Sequence, residues 1–221
     1  MKEKNIIETT SDGSMTIYVP GLDEHYHSVN GALSEALTVF INPGIASSDR
    51  KNLRILEIGF GTGLNALLTA VQAIKLNKRV YYTAVEKYPV EPGIRERLNY
   101  EKLVESEYSG LYPMMHKCRW DEACELSPNF VLNKICTDIK IFESDSRFDL
   151  IYFDAFAKSK QPGMWTDEII AKVCAMADNK GLFLTYSATG QLKRQLLSCG
   201  FRVERLPGPK GKREITRAEK L

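Results

Sequence analysis

Leu53–Asn65 reads LRILEIGFGTGLN. An apolar run of strand length, Leu53–Ile58, stops at three alternating glycines, Gly59, Gly61 and Gly63. LNALLTAVQAI follows with helical spacing. Glycine permits backbone conformations and close approaches that a Cβ forbids. The first N–H groups of the following helix lack intrahelical partners and carry partial positive charge. The spacing therefore predicts a strand–turn–helix whose turn cradles a ligand; a purely structural tight turn is the alternative.

The dinucleotide fingerprint G-x-G-x-x-G needs a sixth-position glycine for close helix–strand packing. Leu64 stands there, so that fingerprint fails. Glu57 lies two residues before the first glycine, giving E-x-G-x-G-x-G. This is the pattern of S-adenosylmethionine (SAM) methyltransferases, whose cofactor has an amino group and a sulfonium but no phosphate. Glu57 is assigned to its methionine end, directly or through water. Glu86 ends the next apolar run, where an acid can accept both ribose hydroxyls, unless it is simply a solvated side chain. Asp138 is the candidate for the adenine amino group, with Asp145 and Asp149 close enough in sequence to compete.

Further strand-length runs occur at Val80–Val85, Phe148–Phe153, Gly181–Tyr186 and Phe201–Leu206, with one more near Phe130–Cys136. Helical patterns such as WTDEIIAKVCAMA separate several of them, which predicts a parallel sheet with helices on both faces. GFRVERLPGPKGKREITRA is two strand-like runs joined by a short loop, so these two are antiparallel. The expected architecture is α/β: a class I SAM-dependent methyltransferase fold with a mostly parallel seven-stranded sheet closed by a C-terminal antiparallel hairpin, over residues 51–221. Residues 1–50 read as a short extension. It holds an Asp-Gly hairpin turn before a Thr/Ile/Tyr/Val run, then a helix with Leu33, Ala36, Leu37 and Phe40 on one face and Asn42-Pro43-Gly44 as its stop. Residues 89–130 exceed one crossover and read as a helical insertion.

The 221 residues carry 43% hydrophobic and 26% charged side chains, enough for one well-filled domain. Net charge is +2, so any basic surface is local. Five cysteines without C-x-x-C spacing argue against a disulfide framework or zinc site and suggest reduced thiols. His25, His27 and His116 make no convincing metal set. No apolar run approaches the ~20 residues of a membrane span, and the N-terminus has no signal-like core. The expectation is a cytoplasmic protein with no membrane or metal partner.

FDLIYFDAFAKSKQPGMWTDEI narrows the reading. Asp154, Phe156, Lys160, Pro162 and Trp165 fit the D-[AG]-F-x-x-x-K-x-P-x-[ML]-W stretch of the methyltransferase domain of MnmC-type tRNA enzymes, which make 5-methylaminomethyl-2-thiouridine at the wobble position. DGSMTIY, YHSVNGALSEALTVF, EIGFGTGLN, EKYP, LTYSATGQLKRQL and LPGPKGKREITRA are similar to that family too. The chain resembles the stand-alone, MnmD-like form, since it has no room for the FAD-dependent oxidase domain of the fused members. The resemblance implies a SAM cofactor held by Glu57, Gly59, Gly61, Gly63, Asn65, Glu86, Lys87 and Asp138. It implies the anticodon stem-loop of tRNA as partner and, upstream, a separate FAD-dependent oxidase.

The implied acceptor is a 5-aminomethyl group on a (2-thio)uridine. Its amine needs a free lone pair, although an alkylamine has a pKa near that of lysine, about 10. Asp154 is the candidate catalytic residue, to hold the nitrogen in line and to take a proton; the alternative is a loop cap. Phe156 and Trp165 either stack on an extruded base or pack in the core. Tyr186 is expected to face the same cleft. Tyr26 and His27 form a lid over the cofactor, or His27 is a hydrogen-bonded structural residue. Lys158, Lys160, Lys210, Lys212, Arg213 and Arg217 are candidates for phosphate contacts, with Lys160, Lys212 and Arg213 foremost. Competing readings keep the fold but change the acceptor to another amine, a protein side chain or another nucleoside, or reduce the chain to a non-catalytic RNA-binding module.

Overall fold

The computed structural model describes residues 4–221. The strand at the centre of the reading is β4 (Asn52–Ile58), hydrogen-bonded in parallel to β5 (Arg79–Glu86) on one side and β8 (Phe148–Phe153) on the other. Beyond β5 lies β7 (Phe130–Cys136), and beyond β8 lies β9 (Ala177–Thr185). β11 (Glu214–Lys220) runs antiparallel between β9 and β10 (Phe201–Pro207). The six apolar runs of the sequence are all strands; β4, β8 and the second half of β9 are covered on both faces, which demands near-continuous apolar residues, whereas β10 is a mostly exposed edge strand.

The sheet has eight strands rather than seven. The eighth is β6 (Ala123–Ser127), antiparallel on the outer edge of β7. It falls within the stretch read as helical. Its pattern is mostly exposed, with Leu126 as its buried residue, so it gives no apolar run. The rest of that stretch contains α3 (Pro92–Arg95), α4 (Leu111–Lys117) and single turns. The edge strand also overturns the expectation of reduced thiols. It brings Cys124 back beside Cys118 at the end of α4, and the two form a disulfide with Cα atoms 5.9 Å apart. Cys136, Cys174 and Cys199 are free.

Helices complete both faces. α2 (Leu64–Lys75) follows the glycine turn and buries most of its length. α5 (Asp167–Ala175) and α6 (Gly190–Ser198) start at threonine caps: Thr166 Oγ1 accepts from the Ile169 N–H and Thr189 Oγ1 from the Leu192 N–H. Such caps satisfy donors the helix itself cannot.

Residues 4–50 fold onto the same core. β1 (Ile6–Thr9), β2 (Met15–Val19) and β3 (Glu24–His25) form a small antiparallel sheet. α1 (Ala32–Ala36) continues as a wider π turn over Leu37–Ile41. Ile17, Ala32, Val39, Phe40 and Ile41 join the cluster that contains Leu64, Leu67 and Tyr82. Among the described residues, no helix is long and apolar enough to cross a membrane.

Candidate active site

The order of the sheet reverses around β4, between β5 and β8, and ligands of open α/β sheets gather outside the carboxyl ends at such a point. A cleft of ≈ 920 Å³ opens there, lined by the glycine turn, the ends of β5 and β8, the lead-in segment and the C-terminal hairpin turn. Its size suits a nucleoside cofactor together with part of a substrate; ligand cavities run roughly 300–1,000 Å³.

Each glycine of the turn has positive φ, at +91° for Gly59, +51° for Gly61 and +82° for Gly63. A Cβ on Gly59 would stand 2.6 Å from the Asp154 carbonyl oxygen, so this glycine lets the turn after β4 press against the end of β8. A Cβ on Gly61 would stand 3.0 Å from the Tyr26 ring. The turn therefore answers to both demands raised by its sequence: it bends sharply, and other parts of the chain approach it closely. Tyr26 comes from the lead-in, and its neighbour His27 is buried with Nε2 2.8 Å from Thr62 Oγ1. Burial lowers the His27 pKa to about 4, so the ring is neutral at pH 7. His27 is thus hydrogen-bonded, and the segment beside it covers the turn.

Three carboxylates surround the turn. Glu86, at the end of β5, accepts from the Gly61 N–H at 3.0 Å and from the Tyr88 N–H at 2.7 Å. Asp154, directly after β8, lines the cleft. Glu57 has no exposed surface and does not line it, which leaves of the two expected contacts only the indirect one. Asn65, on the first turn of α2, links the two acids: its Nδ2 donates to Glu57 Oε1 at 3.0 Å and to Asp154 Oδ2 at 2.9 Å. Burial, then the Asp154 charge, raises the Glu57 carboxyl well above its ordinary range. Burial, then the Glu35 carboxylate, raises Asp154 to about 7, against the opposing Asn65 hydrogen bond and Lys212 ammonium.

Asp138 also lines the cleft, on the β7 side, where its carboxylate meets Lys87 at 2.9 Å. Phe156 faces the cleft with the Tyr26 ring at 5.1 Å, edge to face. Tyr186 faces it from the end of β9 and donates its hydroxyl to the Ala155 carbonyl at 2.8 Å. Trp165 does not face it. Its side chain is buried, with 3% exposure, and Nε1 donates to the Phe156 carbonyl at 2.8 Å. It rests against Phe153 and Tyr186, so no base can stack on it, and its role is to brace the loop that carries Phe156.

The basic candidates divide. Lys160 pairs with Asp23 of the lead-in at 2.9 Å. Lys212 lies inside the cleft, paired with Glu35 and 3.9 Å from the Tyr186 ring centroid, so it is not a free surface charge. Lys210 and Arg213 flank it and are exposed. Glu35 escaped the sequence reading altogether. It is a lone acid on α1, where a polar residue normally marks the wet face, yet it is buried under the hairpin turn.

The polar groups at the turn are carboxylates, with no cation cradle beside the glycines. That donor set repels a pyrophosphate and suits a cofactor with a sulfonium, an amino group and ribose hydroxyls. Residues 99–221 match the S-adenosyl-L-methionine-dependent methyltransferase family, and the chain belongs to that family. S-adenosyl-L-methionine is its cofactor and methyl transfer its reaction class. The chain is 27% identical over 224 residues to the tRNA 5-methylaminomethyl-2-thiouridine biosynthesis bifunctional protein MnmC of Cupriavidus metallidurans, covering 94% of this chain and 32% of the relative. With the MnmC of Campylobacter hominis it shares 30% over 168 residues, covering 74% and 25%. The chain thus spans a third or less of these curated relatives. The crystal structure of MnmC2 from Aquifex aeolicus superposes with a TM-score of 0.80 at 25% identity, covering 98% of this chain and 70% of that one.

Proposed function

We propose that the protein transfers a methyl group from SAM to the 5-aminomethyl nitrogen of a (2-thio)uridine at the tRNA wobble position. The observation that carries this is Asp154: one carboxyl, raised toward neutrality, at the junction of the cofactor turn and the aromatic cleft. The MnmC names of the relatives and the Aquifex MnmC2 structure support a tRNA substrate. When bound, SAM supplies an electrophilic methyl on a sulfonium sulfur. Glu86 is the candidate to hold its ribose, Asp138 and Lys87 the adenine end, and the turn Gly59–Gly63 the middle, with Glu57 and Asn65 behind them.

Asp154 aims at the acceptor amine and receives its proton, which frees the nitrogen lone pair. An ordinary carboxylate would favour the inert ammonium; one raised to about 7 is a stronger base and holds a proton more readily. Phe156 offers an aromatic face to an extruded base. Lys160 and Arg213, with Lys210, stand at the rim for phosphate contacts. A separate FAD-dependent oxidase acting upstream and a cytoplasmic location accompany this reading.

The test is methylation by purified protein of tRNA from cells lacking this final methyl, followed by mass spectrometry of the wobble nucleoside. Transfer to small amines but not to this tRNA would refute the substrate. Two further results are expected. With tRNA limiting, kcat/KM rises about tenfold per pH unit up to about pH 7, then levels, because only the Asp154 carboxylate can take the proton. A continued rise above that pH would mean that the amine must arrive neutral and that Asp154 only positions it. Reversing the charges of Lys210 and Arg213 weakens tRNA binding and flattens its dependence on log salt by about 0.7 for each phosphate no longer neutralised; binding measured between low and moderate salt checks this.

A further inference from the structure

Glu35 and Lys212 are 177 residues apart and meet inside the cleft. Glu35 Oε1 takes the Lys212 ammonium, and Oε2 accepts from the Ser28 N–H at 2.8 Å. The ammonium also lies over the Tyr186 ring, a cation–π contact that holds it on the side of the cleft where Asp154 ends β8. The turn carrying Lys212 docks tightly on the lead-in: a Cβ on Gly211, whose φ is +89°, would stand 2.4 Å from Asn30 Nδ2. Both partners are thereby fixed. The Glu35 side chain is 9% exposed, so water screens its carboxylate poorly, while Lys212 is half-buried.

We propose that Glu35 and Lys212 are a positioning pair that sets the proton affinity of Asp154 through opposed charges, with Glu35 holding the proton on and Lys212 driving it off. The other groups around Asp154 are less able to do this. Glu57 on β4 is reached through Asn65 and has itself been pushed toward the neutral form. Glu86 at the end of β5 is occupied by two backbone N–H groups. His27 is neutral, and the Tyr186 hydroxyl is raised by burial and stays protonated. The fields of Glu35 and Lys212 on Asp154 have opposite signs, which gives the pair a signature that a purely structural contact lacks. A proton affinity balanced in this way lets one carboxyl accept the acceptor's proton and release it after the methyl has moved.

The inference rests on Asp154 as the acceptor-side group, but its test does not need the acceptor. The Asp154 carboxyl is titrated by carbon-13 NMR in the cofactor-free protein, with its signal identified by its disappearance in D154N. In E35Q the midpoint falls by about half a pH unit or more, and in K212M it rises by a similar amount, whereas K212R stays near wild type. The acidic limb of kcat/KM moves with each midpoint. Thermal melts establish that each variant is folded, and the E35Q/K212M double variant falls between the singles. An unmoved or raised midpoint in folded E35Q, or a lowered one in K212M, overturns the proposal. Wild-type protein that fails to methylate the tRNA, with the NMR shifts as expected, would instead refute the substrate and leave the pair standing.

Discussion

Replacing Asp154 by alanine lowers turnover by on the order of 100-fold or more and changes the affinity for SAM by less than about threefold. Correct placement and proton acceptance contribute effects of this size, and the residue lines the cleft beside the glycine turn. Single-turnover rates and calorimetry separate the two quantities. A turnover within a few-fold of wild type would remove Asp154 from the chemistry. The same position has a stability signature. The native carboxyl, raised to about 7, lies above the ordinary unfolded value of about 3.9. Between those values the native state binds more protons than the unfolded state, so this group's contribution falls as pH rises and reaches its full cost above about pH 7. Asp154→Asn therefore raises the melting temperature more at pH 8 than at pH 5, while activity falls. A site that costs stability to keep a carboxyl buried is what a stability–activity trade-off predicts.

The second large effect belongs to Gly59. An alanine there places a Cβ 2.6 Å from the Asp154 carbonyl at a φ of +91°, so either the turn or the end of β8 must move. The strained backbone and the clash together cost roughly 2–4 kcal/mol of stability. Both the cofactor turn and Asp154 are displaced, so SAM binding weakens by about tenfold or more. Gly61→Ala is milder, because its Cβ meets a side-chain ring rather than a backbone atom. Gly93→Ala, with open space around it and no positive φ, is the control and leaves both quantities unchanged. Denaturant unfolding and calorimetry rank the three. Equal effects at Gly59 and Gly93 would mean that the turn does not press on β8.

Asp154 and Gly59 were both visible in the sequence, and the reason is physical. Strands buried on both faces leave apolar runs, so β4, β8 and the second half of β9 could be read directly, and with them the turn after β4; β5 and β7 showed as alternating runs, and β10 as one arm of a hairpin. What stayed hidden depends on contacts between distant segments. β6 is a half-wet edge with no apolar run, and the Cys118–Cys124 pairing became visible only with it. Trp165 could be read either as a stacking or as a core residue, and the fold turns it inward, where the Phe156 carbonyl accepts its indole N–H. Lys212 read as a foremost candidate for phosphate contact in a basic turn, and the fold pairs it inside the cleft instead. Its partner Glu35 sits on a helix near the other end of the chain, and no local pattern connects them.

That meeting of Glu35 with Lys212 joins two distant parts of the chain. Strand β11 lies between two strands that precede it in the chain, and the turn before it carries Lys212 to Glu35. The glycine bend and its acids come from residues 57–154, whereas the cation opposed to Glu35 comes from the turn of the last hairpin. The hairpin that completes the sheet thus also completes the charge balance of the cleft.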